Sequence, residues 1–239
     1  MTLSLRFAVA LFAALFLTAT GRPAAAQGTP HVYLMRGLAN VFSLGMDDLA
    51  AKLNARGIPA QVYEYGQWEQ VAAQASAVSK SERGSPIIII GHSLGADAAI
   101  EAGERLTALG TPAKLVVTFD PVGVSTVGRA SGRFVNYYQA NNGYGKRLTA
   151  GPGFRGKLVN RDLDGVASID HFNIEKMPKL HSEVMASIQA LKSRPKPKPA
   201  PAAPAVTPAS ESAGTRPPAP LPASGSGERA ASATSQKAM

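Results

Sequence analysis

The sequence of 239 residues holds no cysteine. A thiol nucleophile, a disulfide framework and a thiolate metal site are therefore excluded. Histidine is scarce too, with four in all: His31, His92, His171 and His181. No two of them stand in a His-Glu-x-x-His arrangement, so the spacing of a helical zinc site is missing, and neither a metal nor another cofactor is expected. Acidic residues are outnumbered, giving a formal charge of +9. The excess is uneven: residues 1–26 carry +2, residues 193–239 carry +4, and the segment between them carries only +3 on 17 basic and 14 acidic residues. A nucleic-acid-binding face is thus not expected.

What is present divides the chain into three. Residues 1–26 start with Met1 to Arg6, continue through the apolar stretch Phe7 to Leu17 and end in Ala24-Ala25-Ala26. A basic start, an apolar middle and small residues before a cut describe a secretory signal peptide. The apolar middle falls short of the ~20 residues of a membrane span, although an uncleaved N-terminal anchor is the alternative. The expected location is therefore periplasmic or secreted, with Gln27 as the new N-terminus. Residues 193–239 turn to proline, alanine, serine and lysine, beginning "SRPKPKPAPAAPAVTPAS". With almost no large apolar side chains, such a segment cannot offset its ordering entropy and is expected to be a disordered, extended tail. Its basic residues offer a contact for an anionic envelope or cell-wall polymer, or serve solubility alone. Residues 27–192 remain as one domain, large enough to bury a core without disulfides.

Within that domain short apolar runs alternate with segments of helical periodicity. "HVYLM" (31–35), "QVYEY" (61–65), "PIIIIG" (86–91) and "LVVTF" (115–119) read as strands, with "FVNYY" (134–138) and "GKLVN" (156–160) as further ones. Met46, Leu49, Ala50 and Leu53 mark a first helix, with Asp47 and Asp48 in its first turn where the dipole favours anions. Trp68, Val71, Ala72, Ala75 and Val78 mark a second, and Ala96, Ala99, Ile100, Gly103 and Leu106 a third. The last starts near Pro178, a good first-turn residue, and runs through Leu180, Val184, Ile188 and Leu191. The β-branched run of "PIIIIG" has no polar alternation, which places it in the middle of a parallel sheet, buried on both faces. The pattern predicts a three-layer α/β sandwich around a mainly parallel sheet, whose sites form beyond the carboxyl ends of the strands.

At one such end stands Gly91-His92-Ser93-Leu94-Gly95, between a buried strand and a helix. So tight a turn forces the serine into strained backbone geometry, and the flanking glycines relieve clashes with neighbouring elements. The serine oxygen is then presented above the helix N-terminus. Here the chain resembles the α/β-hydrolase superfamily, particularly its small lipase, esterase and thioesterase members. The resemblance extends over residues 31–192, with "GHSLGADAA" its most specific stretch.

The resemblance implies a nucleophile, a base from a late loop and an orienting acid. Ser93 is the nucleophile. His92 adjoins it in sequence and cannot easily fold back on it. His171, in "SIDHFNIEKM" after the last strand and before the final helix, holds the family position of the base and is preferred to His181 inside that helix. The acid is Asp120, at the carboxyl end of "LVVTF", where some lipase-like members place it. The position after the next-to-last strand, more usual for the superfamily, reads "QANNGYG" and holds Asn141 and Asn142 instead. Asp162 and Asp164 are the reserves, and Asp170 is too close to His171 in sequence to orient its ring. The backbone amides of Leu94 and Leu38 are the implied oxyanion donors. Arg36-Gly37 stands where lipases often carry His-Gly; its cation either steers an acidic substrate or pairs with a surface carboxylate.

The segments 120–133 and 139–155 show no helical pattern, and without a long insertion a large mobile lid is not expected. The function implied is that of an exported serine hydrolase acting on a small-molecule or lipid carboxylic ester. Thioesterase, amidase and acyltransferase chemistry would use the same residues. A different reading is a non-catalytic binding module of the cell envelope that keeps the fold.

Overall fold

The computed structural model describes residues 28–38, 43–82 and 84–192. The signal-peptide and tail segments, 1–26 and 193–239, lie outside the described residues. Among the described residues eight strands and four helices follow one another as β1 (His31–Arg36), α1 (Gly45–Asn54), β2 (Ala60–Glu64), α2 (Trp68–Ser81), β3 (Ile87–His92), α3 (Leu94–Ala108), β4 (Leu115–Phe119), β5 (Thr126–Val127), β6 (Arg133–Tyr138), β7 (Thr149–Ala150), β8 (Lys157–Asp162) and α4 (Pro178–Lys192). Short 3-10 turns at Tyr65–Gln67 and Ile174–Lys176 precede α2 and α4.

Six strands form one sheet in the order β2-β1-β3-β4-β6-β8. Every pairing in it is parallel. The chain moves outward from β1 to β2, then returns and builds in the opposite direction from β3. That reversal opens a crevice beyond the carboxyl ends of β1 and β3, the place where such sheets bind ligands.

The four isoleucines of β3 explain why the sheet is covered on both faces. Side chains alternate along a strand, so Ile88 and Ile90 join one core with α1 and α4, through Met46, Leu49, Leu53, Leu180, Val184 and Ile188. Ile87 and Ile89 join a second core with α2 and α3, through Val71, Ala72, Ala75, Ala98, Ala99 and Ala102. Each fully buried isoleucine contributes roughly 1.5–3 kcal/mol by leaving water. The result is the three-layer α/β sandwich that the sequence pattern predicts.

No helix forms in residues 120–133 or 139–155. Carboxylates of α3 hold the first of these segments instead. Asp97 accepts from the amides of Val122, Gly123 and Val124 at 3.2, 2.9 and 3.0 Å, and Glu104 accepts from the Gly128 amide at 2.7 Å. The segment then supplies β5, which pairs with β7 from the second segment as a separate two-stranded ribbon. Two-residue strands leave no periodic signal, which is why the sequence shows neither.

Candidate active site

Ser93 sits between the last residue of β3 and the first of α3, with φ 58° and ψ −125°. A non-glycine residue at positive φ costs on the order of 1–3 kcal/mol and persists only where its surroundings hold it. The surroundings here are β1, β4 and α3. The Ser93 amide donates to the Phe119 carbonyl at 3.0 Å, while its own carbonyl accepts from Ala96 at 2.8 Å. A Cβ on Gly95 would overlap the Met35 carbonyl of β1, so only glycine lets α3 start this close to the sheet. Gly37 is constrained from the other side: a Cβ there would come within 2.9 Å of the Ser93 Cβ.

The structure brings Ser93, His171 and Asp120 together from three separate loops. His171 Nε2 lies 3.1 Å from Ser93 Oγ, and His171 Nδ1 lies 2.9 Å from Asp120 Oδ2. An ionised carboxylate only accepts hydrogen bonds, so Nδ1 carries the ring hydrogen and the Nε2 lone pair faces the serine. Asp120 follows β4 at φ 52° and is fully buried. Its Oδ1 accepts from the Gln139 amide at 2.9 Å, and its Oδ2 also accepts from Asn142 Nδ2.

The other carboxylates and His181 are elsewhere engaged. Asp162 accepts from the Asp164 amide at 2.9 Å, Asp164 from the Asn141 amide at 3.2 Å, and Asp170 from the Phe172 amide at 2.8 Å. His181 is buried under α1: its Nε2 donates to the Glu175 carbonyl at 2.6 Å, and its Nδ1 lies 3.2 Å from Lys52 Nζ. Burial pushes its pKa below the usual histidine value. Arg36 is bound to Asp47, with Nε donating to Oδ2 at 3.0 Å, and lies 3.6 Å from Glu64. The Arg36 cation is thus occupied by surface carboxylates.

Beside the serine opens a cleft of about 330 Å³, lined by Leu38, Val122, Leu94, Tyr144, Phe172 and the site's own polar residues. No Lys, Arg, Asp or Glu among the described residues lines it. Leu94 opens α3, and the first amides of a helix have no intrahelical acceptor. Leu38 faces the cleft from the loop after β1.

Several of these residues are missed by sequence reasoning. Tyr144 stacks on the His171 ring, centroids 4.3 Å apart at 19°, and Phe172 meets that ring edge-on at 5.3 Å. Asn142 sets Tyr144 in place, its Oδ1 accepting from the amides of Tyr144 and Gly145, both at 2.8 Å. "NNGYG" is legible as a turn, but nothing in it shows which ring the tyrosine covers. Ser43 and Glu175 leave no sequence signal at all. Glu175 is fully buried, and neither side-chain oxygen has a hydrogen-bond partner. Burial raises its pKa to about 7, outweighing the pull of nearby backbone amides and of Lys176. His92 is also buried, and burial lowers its pKa to about 4.

No protein-family model matches the sequence, and no curated protein does. Solved structures show a loose likeness. Human thioesterase 2 is 9% identical, with 70% of this chain and 99% of that one covered at a TM-score of 0.44. An α/β serine hydrolase without a lid from Xanthomonas campestris is 12% identical, covering 71% and 85% at 0.45. An acetyl xylan esterase is 13% identical, covering 69% and 99% at 0.42. At identities and TM-scores this low nothing about this chain is read from these matches, and function has to be read from the side chains themselves. Those side chains hang on a parallel α/β sheet with a strand–serine–helix turn at its crevice, the architecture implied by the resemblance to α/β-hydrolases.

Proposed function

We propose that the protein is a serine hydrolase that cleaves a carboxylic ester carrying an uncharged, apolar acyl group. The observation that carries this reading is the unbroken line Ser93 Oγ, His171 Nε2, His171 Nδ1, Asp120 Oδ2, with gaps of 3.1 and 2.9 Å, at the mouth of an apolar cleft. Ser93 Oγ attacks the acyl carbon as its proton passes to His171 Nε2, and Asp120 stabilises the imidazolium that forms. The developing oxyanion takes hydrogen bonds from the Leu94 and Leu38 amides. The C–O bond to the alcohol breaks, the alcohol leaves with the proton from His171, and Ser93 holds the acyl group. Water, deprotonated by the same histidine, then releases the acid. A thioester or amide would pass through the same steps. The absence of charged side chains among the described residues that line the cleft, with Arg36 already paired, favours a neutral acyl group over an acidic one. The basic-apolar-small pattern of residues 1–26 supports action outside the cytoplasm, with the basic tail available to an anionic envelope surface.

The test is hydrolysis of a p-nitrophenyl ester series by the purified chain, beside Ser93→Ala, His171→Ala and His181→Ala. Turnover should fall by about 10⁴-fold in the first two variants and persist in the third. A chain that hydrolyses no ester, and whose Ser93 is not labelled by a fluorophosphonate, would sink the proposal in favour of a binding module.

A further inference from the structure

The residue before the nucleophile is not idle. His92 closes β3 and is 1% exposed, with both ring nitrogens occupied. Its Nδ1 lies 2.8 Å from Ser43 Oγ, and its Nε2 lies 2.8 Å from the main-chain carbonyl of His171. Ser43 Oγ in turn accepts from the Gly37 amide at 2.9 Å. Since a carbonyl only accepts, Nε2 must carry the ring hydrogen. Nδ1 is then the acceptor, and the Ser43 hydroxyl proton points to it. Every donor in the series Gly37 N–H, Ser43 O–H, His92 Nε2–H has one acceptor, and the series ends on the backbone of the catalytic histidine.

This bridge joins two loops that the sheet itself does not connect. Gly37 and Leu38 leave β1, and His171 lies on the loop that follows β8, three strands beyond β3 in the sheet order. Between them stands β3, which ends at His92 and leads directly into Ser93. We propose that neutral His92 is a positioning residue, tying the loop that holds the Leu38 oxyanion donor to the loop that holds His171 and so setting both against Ser93. This rests on the hydrolase reading. Burial supports it, since it keeps the ring neutral down to about pH 4, the form in which Nδ1 accepts the Ser43 hydroxyl proton. The neighbouring Glu175 carboxyl, 3.8 Å from Nε2, lies beyond hydrogen-bond reach and leaves the bond to the His171 carbonyl unchallenged. A donor or base misplaced by about 1 Å costs on the order of a hundredfold in rate, so the bridge acts on turnover rather than on ground-state binding.

The experiment compares the full chain with His92→Leu, His92→Gln and Ser43→Ala, measuring kcat and KM separately on one p-nitrophenyl ester and thermal unfolding on each protein. The expected result for His92→Leu is a kcat about a hundredfold lower with KM within about threefold. His92→Gln, whose amide still offers a donor toward the His171 carbonyl, should recover about tenfold of that. Ser43→Ala should lose about five- to tenfold in kcat at nearly unchanged thermal stability. If His92→Leu folds and keeps kcat within threefold, or if its loss lies in KM, the proposal is overturned. Should His92→Leu not fold, Ser43→Ala decides, and an unchanged kcat there overturns it. An inert wild type with unlabelled Ser93 would instead bring down the hydrolase reading itself, and this inference with it.

Discussion

Asp120 shows how a single carboxylate is fitted to its work. Its two oxygens face different partners: Oδ1 takes the Gln139 amide, and Oδ2 takes both His171 Nδ1 and Asn142 Nδ2. Asn142, in the loop after β6, donates to Asp120, in the loop after the neighbouring strand β4. Replacing the carboxylate by an amide lets the histidine adopt the wrong tautomer, so Asp120→Asn should lower kcat by about 10³–10⁴-fold. Asn142→Ala removes one of three hydrogen bonds and should cost only about tenfold. Parallel kcat measurements at pH 7 check the ranking, and equal losses in the two variants would contradict the assignment of Asp120 as the acid. Ser93 is legible in the sequence because it stands between a strong strand and a strong helix, whereas His171 and Asp120 are singled out through the resemblance to α/β-hydrolases. Asn142, Ser43 and His92 are not legible in these roles. Their partners lie 22, 6 and 79 residues away along the chain, and no local pattern encodes such a contact.

At the scale of elements, the two segments without helical pattern build the cleft. The loop after β4 gives Val122 and is held by Asp97 on α3. The loop after β6 turns at Asn142 and lays Tyr144 on His171, while Phe172 meets both rings, its centroid 5.8 Å from that of Tyr144. Tyr144 and Phe172 are each nearly half exposed, at 45% and 47%. If the cleft holds an acyl chain as proposed, truncating either ring would remove contact with its first carbons and lengthen the cleft. Tyr144→Ala should lower kcat/KM for a four-carbon ester by about tenfold, the equivalent of roughly two buried methylenes, and shift the optimum toward longer chains. A p-nitrophenyl ester series reads this directly; a uniform loss at every length would show that the ring serves only to hold His171. The sequence marks these loops as irregular and rich in glycine, but which side chains they present depends on hydrogen bonds to α3 and Asp120.

Across the whole molecule, His92 and Glu175 form an opposed pair buried beneath the site. Burial lowers the histidine from 6.5 to about 4 and raises the carboxyl from 4.5 to about 7. The stability linked to Glu175 is fully present below pH 4.5 and is lost as pH rises through 7, because the unfolded chain gives up its proton first. The stability linked to His92 is present above pH 6.5 and is lost as pH falls through 4. Between pH 4.5 and 6.5 the two slopes cancel: the folded pair holds its one proton on the carboxyl, and the unfolded pair holds it on the imidazole. Glu175→Gln removes one slope. Its unfolding temperature relative to wild type should therefore rise from pH 4.5 to 7 and level off above, with a gain on the order of 3 kcal/mol. Thermal melts at half-unit pH steps check this; a difference that does not change with pH would mean the carboxyl stays charged in the fold.

The order of the main elements, the buried character of β3 and the serine turn at Ser93 follow from the sequence by itself, through local periodicity and strand-to-helix junctions. His171 and Asp120 as partners of Ser93 are implied only by the resemblance to α/β-hydrolases, and the fold is what brings the three within hydrogen-bond distance. Strand order was decided by tertiary structure, because parallel pairing is set by how helices cover the two faces and leaves no mark on any one strand. The same is true of the His92 bridge, the aromatic cover on His171 and the burial of Glu175 between Lys176, at 3.6 Å, and His92, at 3.8 Å. Each depends on the position of a loop in space, and that position is the outcome of packing summed over both cores.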